Sequence, residues 1–327
     1  MSIIEQAAKR LEQLRQSGVE VDAQPMAEAA KGVEDKVTEA VPLRAMKELE
    51  AQGPRANLRG DSAPAGAPGV AVEEVRGGSS RTVEIDLARL SASGYIAPTA
   101  PRSRLAEEFR AIKRPLINNI LGKAAAPVRN ANRIMVTSAE PGEGKTFVSL
   151  NLAMSLAMEL DTEVLLVDAD AQRPALLERL GLAQSTGLLD LLADPDLPLE
   201  SVVFRTNVEH LSILPAGRPQ PRSTELLASE AMSHLVEKLA TSDARRIVLF
   251  DTPPLLAASE SRVLAAHMGQ VVMVIAADET PQGRVAEALA TIENCPVVFT
   301  LLNRVSSSER GRYYGSYGGY GAYEGAR

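Results

Sequence analysis

One stretch of the sequence, IMVTSAEPGEGKTFVSLNLAMSL from Ile134 to Leu156, limits the possible folds more than any other. The apolar residues at its start predict a buried strand, and a loop follows from Ser138 to Thr146. Beyond the loop, apolar residues recur at the spacing of one helix face. A strand, a glycine-bearing loop that ends in Gly-Lys-Thr and a helix together indicate a phosphate-binding P-loop. The first glycine of the usual pattern is Ala139 here, a residue small enough to keep this prediction.

The residue types of this loop suit a bound triphosphate. Gly142 and Gly144 have no Cβ, so backbone N–H groups can point inward as an anion-binding nest. The N-terminus of the following helix adds unpaired donors. We expect the Lys145 ammonium to reach the outer phosphates and the Thr146 hydroxyl to bind Mg²⁺. The predicted nucleotide-binding residues of the loop are Ala139, Glu140, Pro141, Gly142, Glu143, Gly144, Lys145, Thr146 and Phe147.

Composition excludes several classes of protein. The 327 residues, 45% of them hydrophobic, suffice for one sizeable core with additional segments. A formal net charge of −7 argues against nucleic acid as the main partner, and the single cysteine, Cys295, excludes a disulfide framework. No apolar run approaches the roughly 18–20 residues that span a bilayer, and the N-terminus carries no secretory signal. We therefore expect a cytoplasmic protein, or one held at the inner membrane through a partner.

From Arg133 onward, apolar runs that predict strands alternate with segments of helical periodicity. The strand-like runs are Ile134–Thr137, Val164–Val167, Leu211–Leu214, Ile247–Phe250, Val271–Ala276 and Val297–Leu302, and the helix-like segments are 145–159, 175–192, 224–240, 259–267 and 281–293. Continuous Val, Ile and Leu runs are typical of strands that are buried on both faces. We therefore predict an α/β fold of the P-loop NTPase type, with a mostly parallel sheet and helices on both faces.

The chain divides into four regions by composition. Residues 1–22 begin with a Ser-x-x-Glu capping box and predict an amphipathic helix, which packs either on the chain's own core or on a partner or membrane. Residues 23–80 are of low complexity and become rich in Gly, Pro, Ala and Ser, as expected of a linker. Residues 81–305 are predicted to form the P-loop domain, beginning with a short strand at Thr82–Leu87, and residues 306–327 form a tail.

A charged helix is predicted at residues 102–121, with a break or kink at Pro115. Three of its charged residues follow one another at intervals of three, which predicts a shared face; they are Glu107, Arg110 and Lys113. Such a face is either a solvated charged stripe or a charge-paired surface for self-assembly.

Acidic residues follow two further predicted strands. Asp168 and Asp170 come after VLLV, and Asp251 comes after IVLF. Because ligands bind parallel α/β sheets at the carboxyl ends of the strands, we expect these carboxylates beside the P-loop. Mg²⁺ prefers oxygen ligands, so Asp251 is a predicted metal ligand, the alternative being a capping residue at a strand end. Two carboxylates near a γ-phosphate suggest that one holds metal while the other orients or deprotonates an incoming hydroxyl.

Five of the six tyrosines lie in the last fifteen residues, separated by Gly and Ser. They are Tyr313, Tyr314, Tyr317, Tyr320 and Tyr323. The segment has no apolar periodicity, so we expect it to be disordered and within reach of an active site. The alternative is a Gly/Tyr linker without a catalytic role. Phosphorylation of all five would add a charge of about −8 to −10, enough to control assembly by repulsion.

Together these motifs resemble those of the bacterial tyrosine kinases, the cytoplasmic autokinases of polysaccharide synthesis and export. The resemblance rests on AEPGEGKT (139–146), VLLVDAD (164–170), IVLFDTPP (247–254) and the tyrosine cluster, and it covers about residues 102–327. The order and spacing of the four motifs together are specific. The stretches EEFRAIKRPL and SRVLAAHMGQVVMVI further resemble the soluble autokinases encoded with exosortase-linked exopolysaccharide systems.

The resemblance implies a role for each matching residue. Lys145 would bind and stabilise the transferred phosphate of ATP. Thr146, Asp170 and Asp251 would hold Mg²⁺, and Asp168 would activate the tyrosine hydroxyl.

The resemblance also implies an oligomer helix of the pattern E-x-x-R-x-x-R, here Glu107, Arg110 and Lys113. The lysine at the last position departs from this pattern, since it lacks the bidentate fork through which an arginine would support ring assembly. The family often has Arg directly after D-x-D-x, where this chain has Gln172. Asn303, after the last strand, is expected to contact adenine.

We therefore predict an ATP- and Mg²⁺-dependent protein-tyrosine autokinase that phosphorylates its tail tyrosines between subunits of a homo-oligomer. By resemblance, a membrane-bound polysaccharide chain-length regulator would be the activating partner, and no nucleic acid is expected to bind. One rival interpretation is a partition- or division-type P-loop ATPase switch, but those proteins carry a second lysine early in the P-loop, where Glu140 stands here, and lack a tyrosine tail. Another is a non-catalytic nucleotide-binding regulator, which would transfer no phosphate.

Overall fold

The computed structural model describes residues 81–98, 103–241, 243 and 245–305. The predictions made for residues 1–80 and 306–327, including the amphipathic helix, the linker and the five tail tyrosines, lie outside the described residues. In the described part of the chain, every helix is too short or too polar to cross a lipid bilayer.

The described residues form one eight-stranded sheet. Its strands are β1 (Arg81–Val83), β2 (Arg133–Ser138), β3 (Glu163–Asp168), β4 (Phe204–Thr206), β5 (Leu211–Leu214), β6 (Arg246–Asp251), β7 (Gln270–Ala276) and β8 (Val297–Asn303). Their order across the sheet is β1-β4-β5-β3-β6-β2-β7-β8, and every neighbouring pair is parallel except β4 with β5. The mostly parallel sheet predicted from the continuous Val, Ile and Leu runs is therefore confirmed.

Helices cover both faces of this sheet. They are α1 (Leu87–Ala92), α2 (Arg104–Ile120), α3 (Lys145–Ala157), α4 (Leu176–Leu180), α5 (Leu188–Ala193), α6 (Ser223–Leu227), α7 (Glu230–Thr241), α8 (Ser259–Ala265) and α9 (Gln282–Ala290), with a 3₁₀ turn at Leu199–Ser201. Along β2, Ile134 and Val136 join an apolar cluster with α2 and α3, whereas Met135 joins a second cluster with α7 and α8. This alternation follows from the two-residue period of a strand, so the sheet separates two cores, each covered by helices, and the prediction of helices on both faces is confirmed.

Two predictions for the first described residues are wrong in detail. The strand predicted at residues 82–87 ends at Val83, because the Asp86 carboxylate accepts the N–H of Arg89 and begins α1. The helix predicted at residues 102–121 is present as α2 with Pro115 inside it, so the predicted break is wrong, whereas a kink stays a prediction.

The helices predicted at residues 175–192 and 224–240 are each divided into two. The first divides because α4 ends at Gly181, which has a φ of +75°, and α5 begins after Gly187, where a Cβ would collide with the loop after β5. The second divides at Ser229, whose hydroxyl accepts a backbone N–H of α7 and donates to a carbonyl of α6. Each break depends on a residue that favours helix ends, and in the first case on a loop distant in sequence.

Candidate active site

The P-loop and both aspartate motifs meet at one edge because their strands are neighbours in the sheet. β6 lies between β3 and β2, and Asp168 at the end of β3 is the register partner of Asp251 at the end of β6. β2 ends at Ser138 and leads directly into the P-loop. Since the three strands are parallel, their carboxyl ends lie side by side.

The P-loop has the backbone geometry of an anion-binding nest. Gly142 (φ +88°) and Gly144 (φ +96°) are both left-handed, a conformation that is unfavourable for residues with a Cβ. Ala139, which replaces the usual first glycine, is buried in the core beside the loop. Lys145 and Thr146 follow the loop as the first residues of α3. This arrangement fits a bound phosphate chain at the N-terminus of a helix.

The carboxylate of Glu143 braces the P-loop from inside. It is buried and accepts the N–H of Glu140 at 2.7 Å, the N–H of Ala276 at 3.4 Å and the hydroxyl of Thr280. Glu140 itself pairs with Arg284 of α9. Both acidic side chains are therefore engaged by the protein, which offsets their repulsion of a phosphate. The sequence pattern placed both residues at the nucleotide but gave no sign of these roles.

Asn303, at the end of β8, lies directly against the P-loop. Its Nδ2 donates to the Glu143 carbonyl at 2.9 Å, and a Cβ on Gly144 would collide with it. The next residue, Arg304, donates to the Gly142 carbonyl. The contact of Asn303 with adenine stays a prediction, and the structure adds a role in supporting the loop.

Lys145 is held by the second aspartate of the D-x-D motif. Its ammonium lies 2.8 Å from Asp170 Oδ2, and both side chains are largely buried. The other Asp170 oxygen accepts the N–H of Arg173 at 3.0 Å. This ion pair links the P-loop to the D-x-D motif and fixes a positive charge beside the loop.

Asp251 is buried, and its carboxylate accepts the hydroxyls of Ser149, at 3.0 Å, and Thr146. Burial raises the pKa of Asp251 to about 6, although the Lys145 ammonium and the two hydroxyls act in the opposite direction. Sequence reasoning missed Ser149. A signal was available, since Ser149 follows Thr146 by three residues and so lies on the same face of α3.

Asp168 is also buried, and both of its oxygens accept backbone hydrogen bonds. Oδ1 accepts the N–H of Asp170 at 3.1 Å, and Oδ2 accepts the N–H of Leu176 at 3.2 Å. Burial and the neighbouring Asp251 charge raise the pKa of Asp168 well above its ordinary value, against the lowering effect of these two N–H groups. Asp168 therefore shapes the D-x-D loop and has a high proton affinity at the same time.

Comparison with known proteins places this site in a family. Residues 131–296, about half of the chain, match the sequence profile of an AAA domain. The tyrosine-protein kinase YwqD of Bacillus subtilis (strain 168) is 33% identical over 227 residues, which cover 69% of this chain and 90% of that protein. This chain belongs to the bacterial tyrosine-protein kinases.

Two further relatives of the kinase extend the comparison. The succinoglycan biosynthesis transport protein ExoP of Rhizobium meliloti (strain 1021) is 31% identical over 224 residues, which cover 67% of the kinase but only 27% of ExoP. Among solved structures, the BceF tyrosine kinase domain matches with a TM-score of 0.54 at 26% identity, covering 68% of the kinase and 91% of that domain. The predicted family is confirmed, whereas the narrower likeness to exosortase-linked autokinases stays a prediction.

The kinase offers oxygen donors of the type that Mg²⁺ prefers. Thr146, Asp170 and Asp251 all lie at the P-loop edge, and Asp251 is already bonded to the Thr146 hydroxyl. Within the described residues, no group of three or more His, Cys, Asp or Glu side chains forms a metal cage. One hydroxyl and two carboxylates fit an ion that keeps water and phosphate oxygens among its ligands, as Mg²⁺ usually does.

Phe147 of the kinase, the last predicted nucleotide-contact residue of the loop, packs against Tyr95. Their ring centroids are 5.2 Å apart. The segment that carries Tyr95 is fixed to α3, because the N–H of Ile96 donates to Asn151 Oδ1 at 2.8 Å. The partly buried Phe147 side chain therefore packs between α3 and this segment, against the core.

The charged face predicted on α2 is divided in the kinase. Glu107 and Arg110 form an exposed pair at 2.7 Å, but the Lys113 ammonium is buried, donates to the Ser155 carbonyl at 2.5 Å and pairs with Glu159 at 2.8 Å. The prediction of one shared face is wrong because a three-residue step falls about 60° short of a full turn, so positions 107 and 113 differ by about 120°. Lys113 anchors α2 to the C-terminal end of α3.

Proposed function

We propose that this kinase transfers the γ-phosphoryl group of ATP to tyrosines in its own residues 306–327. One observation carries the proposal: a left-handed glycine loop, the Lys145 ammonium and the carboxylates of Asp168, Asp170 and Asp251 converge at one sheet edge. Phosphoryl transfer requires little covalent chemistry from the protein, since it depends on positioning and on charge neutralisation. The residues at this edge supply both.

In this proposal the P-loop binds the phosphates of ATP. Its N–H groups bind the phosphate oxygens, and Lys145 stabilises the charge that develops on the transferred group. Asp170 positions Lys145 for this task through their 2.8 Å ion pair. Thr146, Asp170 and Asp251 would hold Mg²⁺, which when bound neutralises charge on the phosphate oxygens.

Asp168 is the proposed proton acceptor. The tyrosine oxygen forms a bond to the γ-phosphorus as the bond between that phosphorus and the ADP oxygen breaks, and the hydroxyl proton passes to Asp168. The raised pKa of Asp168 supports this role, because such a carboxylate takes up a proton more readily than an ordinary one.

The acceptor tyrosine comes from a neighbouring subunit of a homo-oligomer. The exposed pair of Glu107 and Arg110 is the proposed contribution of α2 to the subunit contact, without Lys113. Because the relative ExoP is named for succinoglycan biosynthesis and transport, we assign the kinase to the control of exopolysaccharide synthesis or export. A membrane-bound chain-length regulator is the proposed activator, and it would hold a cytoplasmic kinase at the inner membrane.

The test is incubation of the purified full chain with ATP and Mg²⁺, with and without the activator, followed by phosphotyrosine detection and peptide mass spectrometry. We expect phosphate on tyrosines between 313 and 323 in the parent and none in Lys145→Met. For transfer between subunits, Lys145→Met with its tyrosines intact is mixed with an active chain whose five tail tyrosines are phenylalanine, and phosphate on the inactive chain is expected. Cleavage of ATP to free phosphate without tyrosine label would overturn the proposal and favour an ATPase switch.

A further inference from the structure

A cleft of about 440 Å³ lies beside the D-x-D motif. Three loop segments line it: Pro174, which follows the motif, residues 184–186 before α5, and residues 217–219 after β5. β5 is the neighbour of β3 on the side away from β6, so the cleft lies across the D-x-D motif from the P-loop. Its volume is in the range of small-ligand sites, and nothing in the proposed phosphate transfer accounts for it.

An arginine is fixed at this cleft by a buried carboxylate. Asp190 is only 4% exposed and accepts three hydrogen bonds, from the Gly187 N–H at 2.9 Å, the Arg218 N–H at 3.0 Å and Arg218 Nε at 2.8 Å. Although burial raises it, the hydrogen bonds from Arg218 and Gly187 bring the pKa of Asp190 below its ordinary value. The charge pair therefore orients the Arg218 guanidinium through its Nε.

Two glycines beside this pair occupy positions where a Cβ would be unfavourable. Gly217 has a φ of +94°, and a Cβ there would press against the Asp190 carboxylate. A Cβ on Gly187 would collide with the Pro215 carbonyl, to which the N–H of Leu188 donates at 2.8 Å. The two loops are thus joined through their backbones. Arg218 is therefore held in place before a ligand binds, unlike an arginine on an unconstrained surface loop.

The terminal nitrogens of Arg218 face outward. Its side chain is 72% exposed, and among the described residues only Asp190 bonds to its guanidinium, through Nε. A guanidinium with two available amino groups matches the oxygens of a phosphate, and the prolines and glycine beside it offer an apolar surface to an aromatic ring. The combination suits an aryl phosphate better than a bare anion.

We propose that this cleft binds a phosphotyrosine of the C-terminal segment 313–323 and so presents the next tyrosine to the active site. The inference rests on the proposed function, since it requires tail phosphorylation. Pro174 lies four residues from Asp170, so the two are at most about 14 Å apart. Neighbouring tyrosines from Tyr314 to Tyr323 are three residues apart, about 10 Å in an extended chain. One phosphotyrosine in the cleft therefore brings its neighbour to the phosphate-transfer site.

The length of the chain after β8 permits this occupant. β8 and β5 are five strand positions apart in the sheet, about 24 Å at the usual strand spacing. The twelve residues from 306 to Tyr317 span up to about 40 Å when extended. The segment is thus long enough to reach the cleft of its own subunit, and a segment from a neighbouring subunit has the same chemistry.

The binding test compares two fluorescent peptides of residues 311–324, one with phosphotyrosine at position 317 and one without phosphate. The protein is the full chain with its five tail tyrosines changed to phenylalanine, so that its own tail does not compete. We expect at least about tenfold tighter binding of the phosphopeptide, loss of this preference in Arg218→Ala, and no change in Arg222→Ala, an exposed arginine of the same loop outside the cleft. Saturating Mg²⁺ and ADP should not displace the phosphopeptide.

The proposal would be overturned by equal affinity for both peptides or by a preference that survives Arg218→Ala. Displacement by ADP would also overturn it, because the peptide phosphate would then lie in the P-loop. Equal competition by inorganic phosphate and phosphotyrosine would also overturn it, since the site would then read phosphate alone. In the kinase reaction, intact-mass spectrometry should show multiply phosphorylated parent but accumulation of the singly phosphorylated form in Arg218→Ala. If the parent shows no phosphorylation at all, the proposed function fails, whereas the peptide measurement still decides the cleft.

Discussion

Replacing Asp251 with asparagine should stabilise the metal-free kinase at neutral pH while it removes activity. Burial raises the pKa of Asp251 to about 6, from an ordinary value of 3.8. A carboxylate with a raised folded-state pKa holds its proton more tightly in the folded than in the unfolded chain, so its ionised form lowers the free energy of unfolding. The pKa difference of about two corresponds to about 3 kcal/mol. This destabilisation is fully present above about pH 6 and disappears below about pH 4.

Asparagine keeps the shape of the side chain and an oxygen that can accept a hydroxyl from Ser149 or Thr146, but it carries no charge to bury. Part of the gain in stability is lost, because the substitution also removes the attraction between the Asp251 carboxylate and the Lys145 ammonium. We therefore expect Asp251→Asn to raise the free energy of unfolding by about 1–3 kcal/mol at pH 7.5, or the melting temperature by about 2–12 °C. Phosphotyrosine formation should be lost, because Asp251 is a proposed Mg²⁺ ligand.

The assay is urea and thermal unfolding in the presence of a chelator, at several pH values from 4 to 8. The advantage of the variant should shrink as the pH falls from 6 to 4. Asp190→Asn is the matched control with the opposite sign: hydrogen bonds lower the pKa of Asp190, so its ionised form stabilises the fold above its ordinary pKa, and asparagine there should destabilise at neutral pH. A variant at 251 that is less stable than the parent at pH 7.5, or whose effect does not depend on pH, would refute the desolvation argument.

Three further substitutions test other parts of the site. Asp168→Asn should slow tyrosine phosphorylation by about 10²- to 10⁴-fold while ATP affinity is retained, and lost affinity with unchanged turnover would contradict its proposed role. In a urea titration, Lys113→Ala should lower the free energy of unfolding by about 1–3 kcal/mol, because it removes a buried hydrogen bond and ion pair. Its control, Arg110→Ala on the exposed face, should change the free energy of unfolding by about 0.5 kcal/mol or less. Gly144→Ala should weaken ATP binding at least about tenfold in a calorimetric titration, and adding Asn303→Ala should restore only part of it, because the collision is relieved but the positive φ remains.

The parts of the site that could be predicted from the sequence are those fixed by neighbours in the chain. The glycines, Lys145 and Thr146 act through the local turn from β2 to α3, and the aspartates stand where apolar runs end. The parallel sheet then brings these positions together by a rule that holds for the whole fold class. The residue types of the phosphate site could therefore be predicted from the sequence, whereas their contacts and distances could not.

The missed contacts join residues that are distant in sequence. Asn303 meets Glu143 across 160 positions, and Lys113 meets Ser155 across 42, distances over which hydrophobic periodicity carries no signal. The division of the helix predicted at residues 175–192 likewise depends on Gly187 meeting the loop after β5. Periodicity predicts which elements form, but not which polar side chains leave the solvent to hold them together.

The attachment of β8 to the P-loop has a practical consequence for any experiment that shortens the chain. Asn303 and Arg304 hold the carbonyls of Glu143 and Gly142, and the tyrosine-rich residues begin soon after them. A deletion that starts at residue 306 removes the proposed acceptor tyrosines and leaves these two contacts in place. A deletion that starts at residue 303 also removes the contacts that support the P-loop. The loss of activity in that variant would be attributed to the missing tyrosines, although a weakened nucleotide site would explain it equally well.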